Sequence, residues 1–311
     1  MSNPSFRIAA RLGTSTCLLM FGLIVIGSVV RTTGSGLACP DWPLCHGRLI
    51  PPMQFNVLIE WFHRLVALLV GLLLLATAAW TFLHRETRAR LGGLAALAIA
   101  FYFTQALLGA LTVWKLLDPN VVSAHLGVAL LLFATLLVFS LVARAEAEPG
   151  AMVDASQPRP AALLPALVLA TAMIFAQALL GGMVATNHAG LACPDWPTCN
   201  GAWFPPMEGL VALQMMHRFG AYAVIAMMLV VAAATRGAPD GGIRAGGTMA
   251  FGLTLAQVAL GVFNVFLGTP AWLSAAHLAT AAALLALLVT LAFRAALLPA
   301  RRPAVLETVT S

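Results

Sequence analysis

Apolar residues dominate eight long segments of this chain, and shorter polar segments separate them. The apolar segments cover approximately residues 14–32, 57–82, 94–116, 121–143, 161–185, 208–234, 246–268 and 271–296. About 20 predominantly apolar residues are enough for an α-helix to cross a hydrocarbon layer roughly 30 Å thick. The pattern therefore predicts an all-α integral membrane protein with eight transmembrane helices.

Composition supports this prediction, and the placement of charge orients the chain. Only 9% of the 311 residues are charged, against roughly 25% in an average soluble domain. The side with most cations carries Arg7, Arg11, Arg85, Arg88, Arg90, Arg144, Arg159, Arg236, Arg244, Arg294, Arg301 and Arg302. The other side carries only Arg31, Arg48 and Lys115. Loop cations favour the cytoplasm, so we expect a multi-pass protein of the cell membrane with both termini cytoplasmic. The net charge of +6 then reflects topology and indicates no nucleic-acid partner.

The chain contains an internal duplication. Residues 34–53 read GSGLACPDWPLCHGRLIPPM, and residues 188–207 read HAGLACPDWPTCNGAWFPPM, at an offset of 154. Further along, the offset becomes 152, where Ala-His-Leu at 124–126 recurs at 276–278. Four spans per copy is an even number, so both copies have the same orientation in the membrane.

Each copy is most simply a four-helix bundle with sites built from facing helices. We therefore predict two pseudo-symmetric bundles, at 1–144 and 161–297. A cytoplasmic linker at 145–160 joins them, and a cytoplasmic tail at 298–311 follows.

Four of the seven histidines occupy equivalent positions in the two copies. His63 and His125 match His217 and His277, and each lies in the first third of an even-numbered span. These spans all begin on the outer face, so each bundle has two imidazoles at one depth. Two imidazoles from different helices suit a haem iron between them, whereas zinc sites usually have three or four protein ligands. Hydrogen-bonded interhelical contacts are the alternative. The histidines predicted to have no direct role are His46, His84 and His188.

Glu60 is the only acidic residue well within a predicted span. It lies three residues before His63, on the same helical face, and its counterpart in the second copy is Gln214. We therefore expect the first half to carry the chemistry and the second half to hold a cofactor. The alternative is that Glu60 only pairs with Arg64 or with an imidazole. A di-iron site is excluded because it needs further intramembrane acids.

Arginine follows the first histidine of each pair, as Arg64 and Arg218. A guanidinium suits the propionate carboxylates of a haem, but both side chains could instead extend to the outer interface.

Two cysteines lie in each outer loop, Cys39 with Cys45 and Cys193 with Cys199. Disulfides persist on the non-cytoplasmic side of a membrane. Two local bridges are therefore favoured over a metal site.

The loop TTGSGLACPDWPLCHG, the Glu60-x-x-His63-Arg64 sequence and the later histidines together resemble the haem A synthase family over nearly the whole chain. This resemblance implies an enzyme of cytochrome oxidase assembly that oxidises a porphyrin methyl group of haem O to a formyl group, giving haem A.

The resemblance also implies roles for individual residues. His63 and His125 would hold the substrate haem, with Glu60 catalytic, and His217 and His277 would hold a haem b cofactor. Cys39 and Cys45 match the family's cysteine pair. Haem O, the lipid bilayer, an electron donor and the haem O-forming farnesyltransferase are the expected partners.

Two other functions fit the same residues. A bis-histidine membrane cytochrome would relay electrons between two haems and would not need Glu60 for turnover. A haem transporter is disfavoured because transporter sites usually lie near the membrane midplane.

Overall fold

The computed structural model describes residues 3–300, which include eight long α-helices. They are α1 Pro4–Thr32, α2 Phe55–Leu83, α3 Arg85–Trp114, α4 Pro119–Ala147, α5 Leu163–Thr186, α6 Gly209–Arg236, α7 Gly241–Phe266 and α8 Ala271–Leu297. A short 3-10 helix, Ala189–Leu191, follows α5, and the described residues form no strand longer than an isolated bridge.

All eight helices are long and apolar enough to span a membrane, which confirms the predicted number and fold class. The helices exceed the predicted apolar segments at several ends. For example, α1 begins at Pro4 because Asn3 caps it by accepting a hydrogen bond from the amide of Ser5 at 3.0 Å. Side-chain oxygens of Asp118 and Asp240 cap α4 and α7 in the same way.

The helices of each half pack in a closed ring. In the first half α1 contacts α2, α2 contacts α3, α3 contacts α4, and α4 contacts α1; helices α5 to α8 follow the same order. The halves meet through α1 and α4 on one side and α5 and α8 on the other. Each ring is therefore a four-helix arrangement with the odd- and even-numbered helices alternating around its interior.

The loops at one end of the rings include the predicted linker, and those at the other end include both cysteine pairs. The linker begins later than predicted because α4 continues to Ala147, and the non-helical chain between α4 and α5 runs from 148 to 162. On this side Arg294 pairs with Asp240 at 2.8 Å. Of the predicted tail, residues 301–311, with Arg301 and Arg302, lie outside the described residues. At the opposite end, the loops at 33–54 and 187–208 each fold over one ring.

Candidate functional site

The first ring encloses a cavity of about 800 Å³ that His63 of α2 and His125 of α4 both line. Glycines of the neighbouring helices back both rings. A Cβ built on Gly27 would lie 3.2 Å from Cε1 of His63, and one on Gly109 would lie 3.5 Å from Cε1 of His125. A Cβ at Gly27 would press on His63, and one at Gly109 would be in van der Waals contact with His125, so both glycines let the rings pack closely against the helix backbone.

The second ring repeats this arrangement with His217 and His277. A Cβ on Gly181 would lie 2.9 Å from Cε1 of His217, and one on Gly261 would lie 3.0 Å from Cε1 of His277. Gly181 and Gly261 hold the same repeat positions as the first-half glycines. The imidazole–glycine packing is thus present at all four histidines.

Glu60 is buried, with 4% of its surface exposed, and it lines the same cavity as His63. The backbone N–H of Cys39 donates to its Oε2 at 2.8 Å, and the guanidinium of Arg64 donates to its Oε1. Each carboxylate oxygen therefore has a donor, and the adjacent cation offsets the cost of burying the charge. The predicted alternative, a pairing of Glu60 with Arg64, is present in the structure.

Arg64 also holds the first outer loop in place. Its guanidinium donates to the carbonyls of Asp41 and Leu44, both at 2.6 Å, and of Cys39 at 3.0 Å. An extension of Arg64 to the outer interface stays a prediction. The propionate role of Arg64 stays a prediction, but its donors already have partners in the loop.

Arg218 makes the equivalent contacts in the second half. It donates to the carbonyls of Asp195 at 2.9 Å, Thr198 at 2.7 Å and Cys193 at 2.6 Å. Gln214 occupies the position of Glu60, and its buried Oε1 has no hydrogen-bond partner among the described residues. The clamp between arginine and loop is therefore common to both halves, while the carboxylate is not.

Both predicted cysteine pairs lie at disulfide-bonding distance. The Cα atoms of Cys39 and Cys45 are 4.7 Å apart, and those of Cys193 and Cys199 are 4.6 Å apart. All four cysteines are buried within their loops. Each disulfide therefore closes a compact loop over the outer end of its ring.

An aspartate organises each disulfide loop from within. Asp41 accepts hydrogen bonds from the amides of His46 at 2.6 Å and Gly47 at 2.8 Å. The Gly47 amide and, to a lesser extent, the His46 amide hold the pKa of Asp41 below its usual range. Asp195 accepts from the amides of Asn200 and Gly201 in the same way.

Asp195 has one donor more than Asp41. The hydroxyl of Thr198 donates to its Oδ2 at 2.5 Å and, with the Gly201 amide, lowers its pKa well below the usual range. The first loop has Leu44 at the equivalent position, so its aspartate lacks this bond.

Gln177 of α5 was not predicted as a site residue. Its amide nitrogen lies 3.0 Å from Nδ1 of His217 and donates to the carbonyl of His217 at 2.7 Å. The first half has Leu23 at this repeat position, and Nδ1 of His63 is buried without a partner among the described residues. Aligning α1 with α5 on Gly27 and Gly181 would have shown this difference.

The remaining three histidines lie in three different places: in the first disulfide loop, at the end of α2 and in the cavity wall. His46 contacts the Ala38 carbonyl at 2.9 Å, and His84 contacts the Trp80 carbonyl at 2.8 Å. His188 lines the first-half cavity although it belongs to the second half. Residues from α5 and α8, such as Gly182 and Leu278, also line it, so the second half supplies part of the wall.

The residues present fit a haem in the first ring. The cavity volume is within the range of about 300–1,000 Å³ typical of small-molecule sites. Buried Nδ1 atoms of His63 and His125 lack partners among residues 3–300. Within the same residues, no group of three or more His, Cys, Asp or Glu side chains could hold a metal ion. Two imidazoles suit an iron whose other four ligands come from a porphyrin.

Comparisons with known proteins agree with this geometry. The COX15-CtaA family model, described as a cytochrome oxidase assembly protein, matches residues 10–289. A haem A synthase of Symbiobacterium thermophilum is 32% identical over 83% of this chain and 84% of its own length. A haem A synthase of Shewanella oneidensis is 30% identical over 88% of this chain and 93% of its own length. A haem A synthase of Halalkalibacterium halodurans is 32% identical over 71% of this chain and 73% of its own length.

Proposed function

Because the chain belongs to the COX15-CtaA family of cytochrome oxidase assembly proteins, we propose that it acts as a haem A synthase. In this role it oxidises a porphyrin methyl group of haem O to a formyl group and so gives haem A. Several curated relatives of similar length are named haem A synthase. The observation that carries the proposal is the first-half cavity, which brings His63, His125 and Glu60 together.

The first half binds the substrate. His63 and His125 hold haem O by its iron, and glycines pack against both imidazoles from behind. The bound haem O supplies the iron and the methyl group that reacts. The disulfide loop with Trp42 and Cys45 lines the outer end of the cavity and limits the entry of water.

Glu60 is the catalytic residue in this proposal. It is the only carboxylate among the residues lining the cavity, and Arg64 and the Cys39 amide fix both of its oxygens. A carboxylate held in this way can accept and return a proton at a fixed point beside the substrate. Gln214 keeps the shape of this side chain but does not exchange protons, so the second half lacks the same chemistry.

The second half holds haem b through His217 and His277. When bound, haem b supplies an iron that passes electrons. Gln177 holds His217 in place, because its side-chain amide donates to the carbonyl of His217 and lies 3.0 Å from Nδ1 of the ring. A hydrogen-bonded ligand suits a resident cofactor, whereas a substrate that must leave suits the simpler environment of His63.

The protein is a multi-pass membrane protein by its eight spans. The bias of the loop cations supports cytoplasmic termini, and with that orientation both haem sites lie towards the outer face of the cell membrane. The linker joins the two bundles on the cytoplasmic side. An electron donor and the haem O-forming farnesyltransferase remain the expected partners.

Turnover of Glu60→Gln protein tests this function. Purified protein is supplied with haem O and a reductant in air, and the haems are extracted and separated by chromatography. The wild type is expected to yield haem A. The variant should retain its haem while conversion falls by at least about 100-fold, because a general acid–base group contributes roughly 10²–10⁴-fold to a rate.

The matched control is Gln214→Glu, which adds a carboxylate at the equivalent residue of the second half, where Arg218 corresponds to Arg64, and it should lower conversion far less than Glu60→Gln does. Normal conversion by Glu60→Gln protein would remove Glu60 from the mechanism. Wild-type protein that contains haem b alone and never converts supplied haem O would instead identify a membrane cytochrome.

A further inference from the structure

Four charged residues line the first-half cavity, namely Arg31, Arg48, Glu60 and Arg64. Glu60 and Arg64 form an ion pair with each other. Arg64 is further occupied by three loop carbonyls. The cavity wall therefore has two positive charges, on Arg31 and Arg48, that no carboxylate of the wall balances.

Neither of these guanidiniums is occupied as Arg64 is. Among the described residues, the only hydrogen bond that the Arg31 side chain makes is a long one, 3.5 Å, to the carbonyl of Ala185. The Arg48 side chain makes none within residues 3–300, and both residues are exposed. Their donors are therefore available to a ligand in the cavity.

The fold holds both arginines at the outer end of the cavity. Arg31 lies in the last turn of α1. The backbone of Arg48 pairs with that of Cys45 in both directions, at 3.1 and 3.2 Å, so the first disulfide loop fixes its position. Trp42 and Cys45 line the cavity at this end. The two cations thus flank the mouth below the loop.

The deeper part of the cavity wall has no charged side chain. Met20, Val70 and Leu132 line the cavity there, together with the polar but uncharged Tyr102. Val70 follows His63 by seven residues, which places it about 10 Å deeper along α2. A carboxylate at that depth would meet no cation, and burying its charge would have a high desolvation cost. The outer end, with its two cations, is therefore the better place for an anionic group.

We infer that Arg31 and Arg48 bind the two propionate carboxylates of the haem substrate at the mouth of the first-half cavity. This inference rests on the proposed function, because it takes the ligand to be a haem. Two cations match the two negative charges of the propionates, and guanidinium groups bind carboxylates through paired hydrogen bonds. The binding fixes the propionates outward and the opposite edge of the porphyrin inward.

The second half lacks this device. Its residues at the equivalent positions are Ala185 and Ala202. The two arginines are therefore specific to the half that we assign to the substrate, which must be oriented so that one particular methyl group reaches Glu60.

The test compares haem O with its dimethyl ester, in which both propionates are uncharged. Binding to the first half is measured by difference absorption spectroscopy, with the purified protein in zwitterionic-lipid nanodiscs. Arg31→Gln and Arg48→Gln should each weaken binding of haem O by roughly 10- to 100-fold, the range for a lost hydrogen bond to a charged group. Binding of the dimethyl ester should stay within about two-fold of wild type in the same variants.

Two control variants frame this comparison. Lys115→Gln removes an exposed cation that does not line the cavity, and it should leave both affinities unchanged. Arg48→Lys keeps the charge and should recover part of the lost affinity for haem O. Equal weakening of acid and ester by the arginine variants would overturn the inference, as would unchanged affinity for haem O.

Phosphate groups of lipids share the anionic chemistry of propionates, and a second arm separates them. The titration is repeated in nanodiscs containing phosphatidylglycerol. An arginine effect that appears only with this anionic lipid would overturn the inference. Failure of the proposed function would give a different result. Protein that binds the acid better than the ester through these arginines, but forms no haem A, would support the propionate site and contradict the enzymatic function.

Discussion

The two halves of the molecule share a scaffold and differ in the polar residues placed on it. Both have an imidazole packed on a glycine at each of two positions. Both have a disulfide loop organised by an aspartate and clamped by an arginine, Arg64 or Arg218. In the proposed function, these shared features position a haem under each disulfide loop without specifying what is done to it.

The differences lie around the first histidine of each pair. Beside His63 the first half has Glu60 and Leu23, whereas beside His217 the second half has Gln214 and Gln177. In the proposed function, the carboxylate lies in the half that binds the substrate, and the imidazole contact lies in the half that holds the cofactor.

The largest expected effect comes from removing the ligands of the second half. The double variant His217→Ala, His277→Ala should purify without its resident haem b, because no other imidazole of that ring can replace them. The matched variant His63→Ala, His125→Ala should keep haem b and lose binding of added haem O. Haem content per protein, measured as the pyridine haemochrome, checks both. An unchanged spectrum in the first variant would contradict the assignment of the halves.

Exchanging Gln177 and Leu23 tests why one haem stays and the other leaves. Gln177→Leu gives His217 the environment of His63 and should weaken retention of haem b by roughly 10- to 100-fold, as loss of such outer contacts does at metal sites. Transfer of haem from the variant to excess apomyoglobin measures the loss. Leu23→Gln should have the opposite effect and slow the release of haem from the first half. No change in either rate would show that this contact does not distinguish the halves.

Variants of the two disulfides distinguish effects on stability from effects on turnover. Replacing either pair by serine opens a loop of similar length and should lower the free energy of unfolding by about 2 kcal/mol in the chain-entropy model. Within residues 3–300, only the first pair has a cysteine amide that donates to a side-chain carboxylate, from Cys39 to Glu60. Its removal should therefore also slow conversion of haem O, by roughly 10-fold for a weakened charged hydrogen bond.

Thermal unfolding and turnover, measured on both serine variants, check this prediction. The Cys193–Cys199 variant is the control for loss of stability alone, because Gln214 replaces the carboxylate there. Equal loss of turnover in the two variants would mean that the first loop acts only through stability.

The sequence predicts the number of helices, the fold class, both disulfides and the family correctly. It predicts helix ends poorly, since hydropathy marks the hydrocarbon layer and not the full helix: α1 begins ten residues before its apolar segment because Asn3 caps it. A cap and a polar first turn continue a helix into water without any change in the membrane-spanning part.

The roles of the arginines were harder to predict. The sequence does not decide whether Arg64 contacts a propionate or extends to the interface. Its bonds to loop carbonyls are not predictable, because the direction of those carbonyls depends on tertiary structure. The sequence identifies Arg31 and Arg48 only as cations of the outer face, although it also shows that alanine replaces both in the second copy. A difference between repeats marks a position of interest, but only the cavity shows what that position faces.

The smallest expected effect is a difference in acid stability between the two outer loops. A carboxylate whose folded pKa is lowered stabilises its loop above the unfolded value of about 3.9, and this stability is lost as pH falls through the folded pKa. Asp195 has the additional Thr198 hydroxyl, so its pKa is lowered further than that of Asp41. The first loop should therefore lose protection of its amides at a higher pH than the second, and hydrogen exchange of residues 46–47 and 200–201 from about pH 5 to about pH 2 measures this. Leu44→Thr supplies the missing hydroxyl, and the first loop should then lose protection at a pH close to that of the second loop. Loss of protection at one common pH in the wild type would show that Thr198 adds nothing.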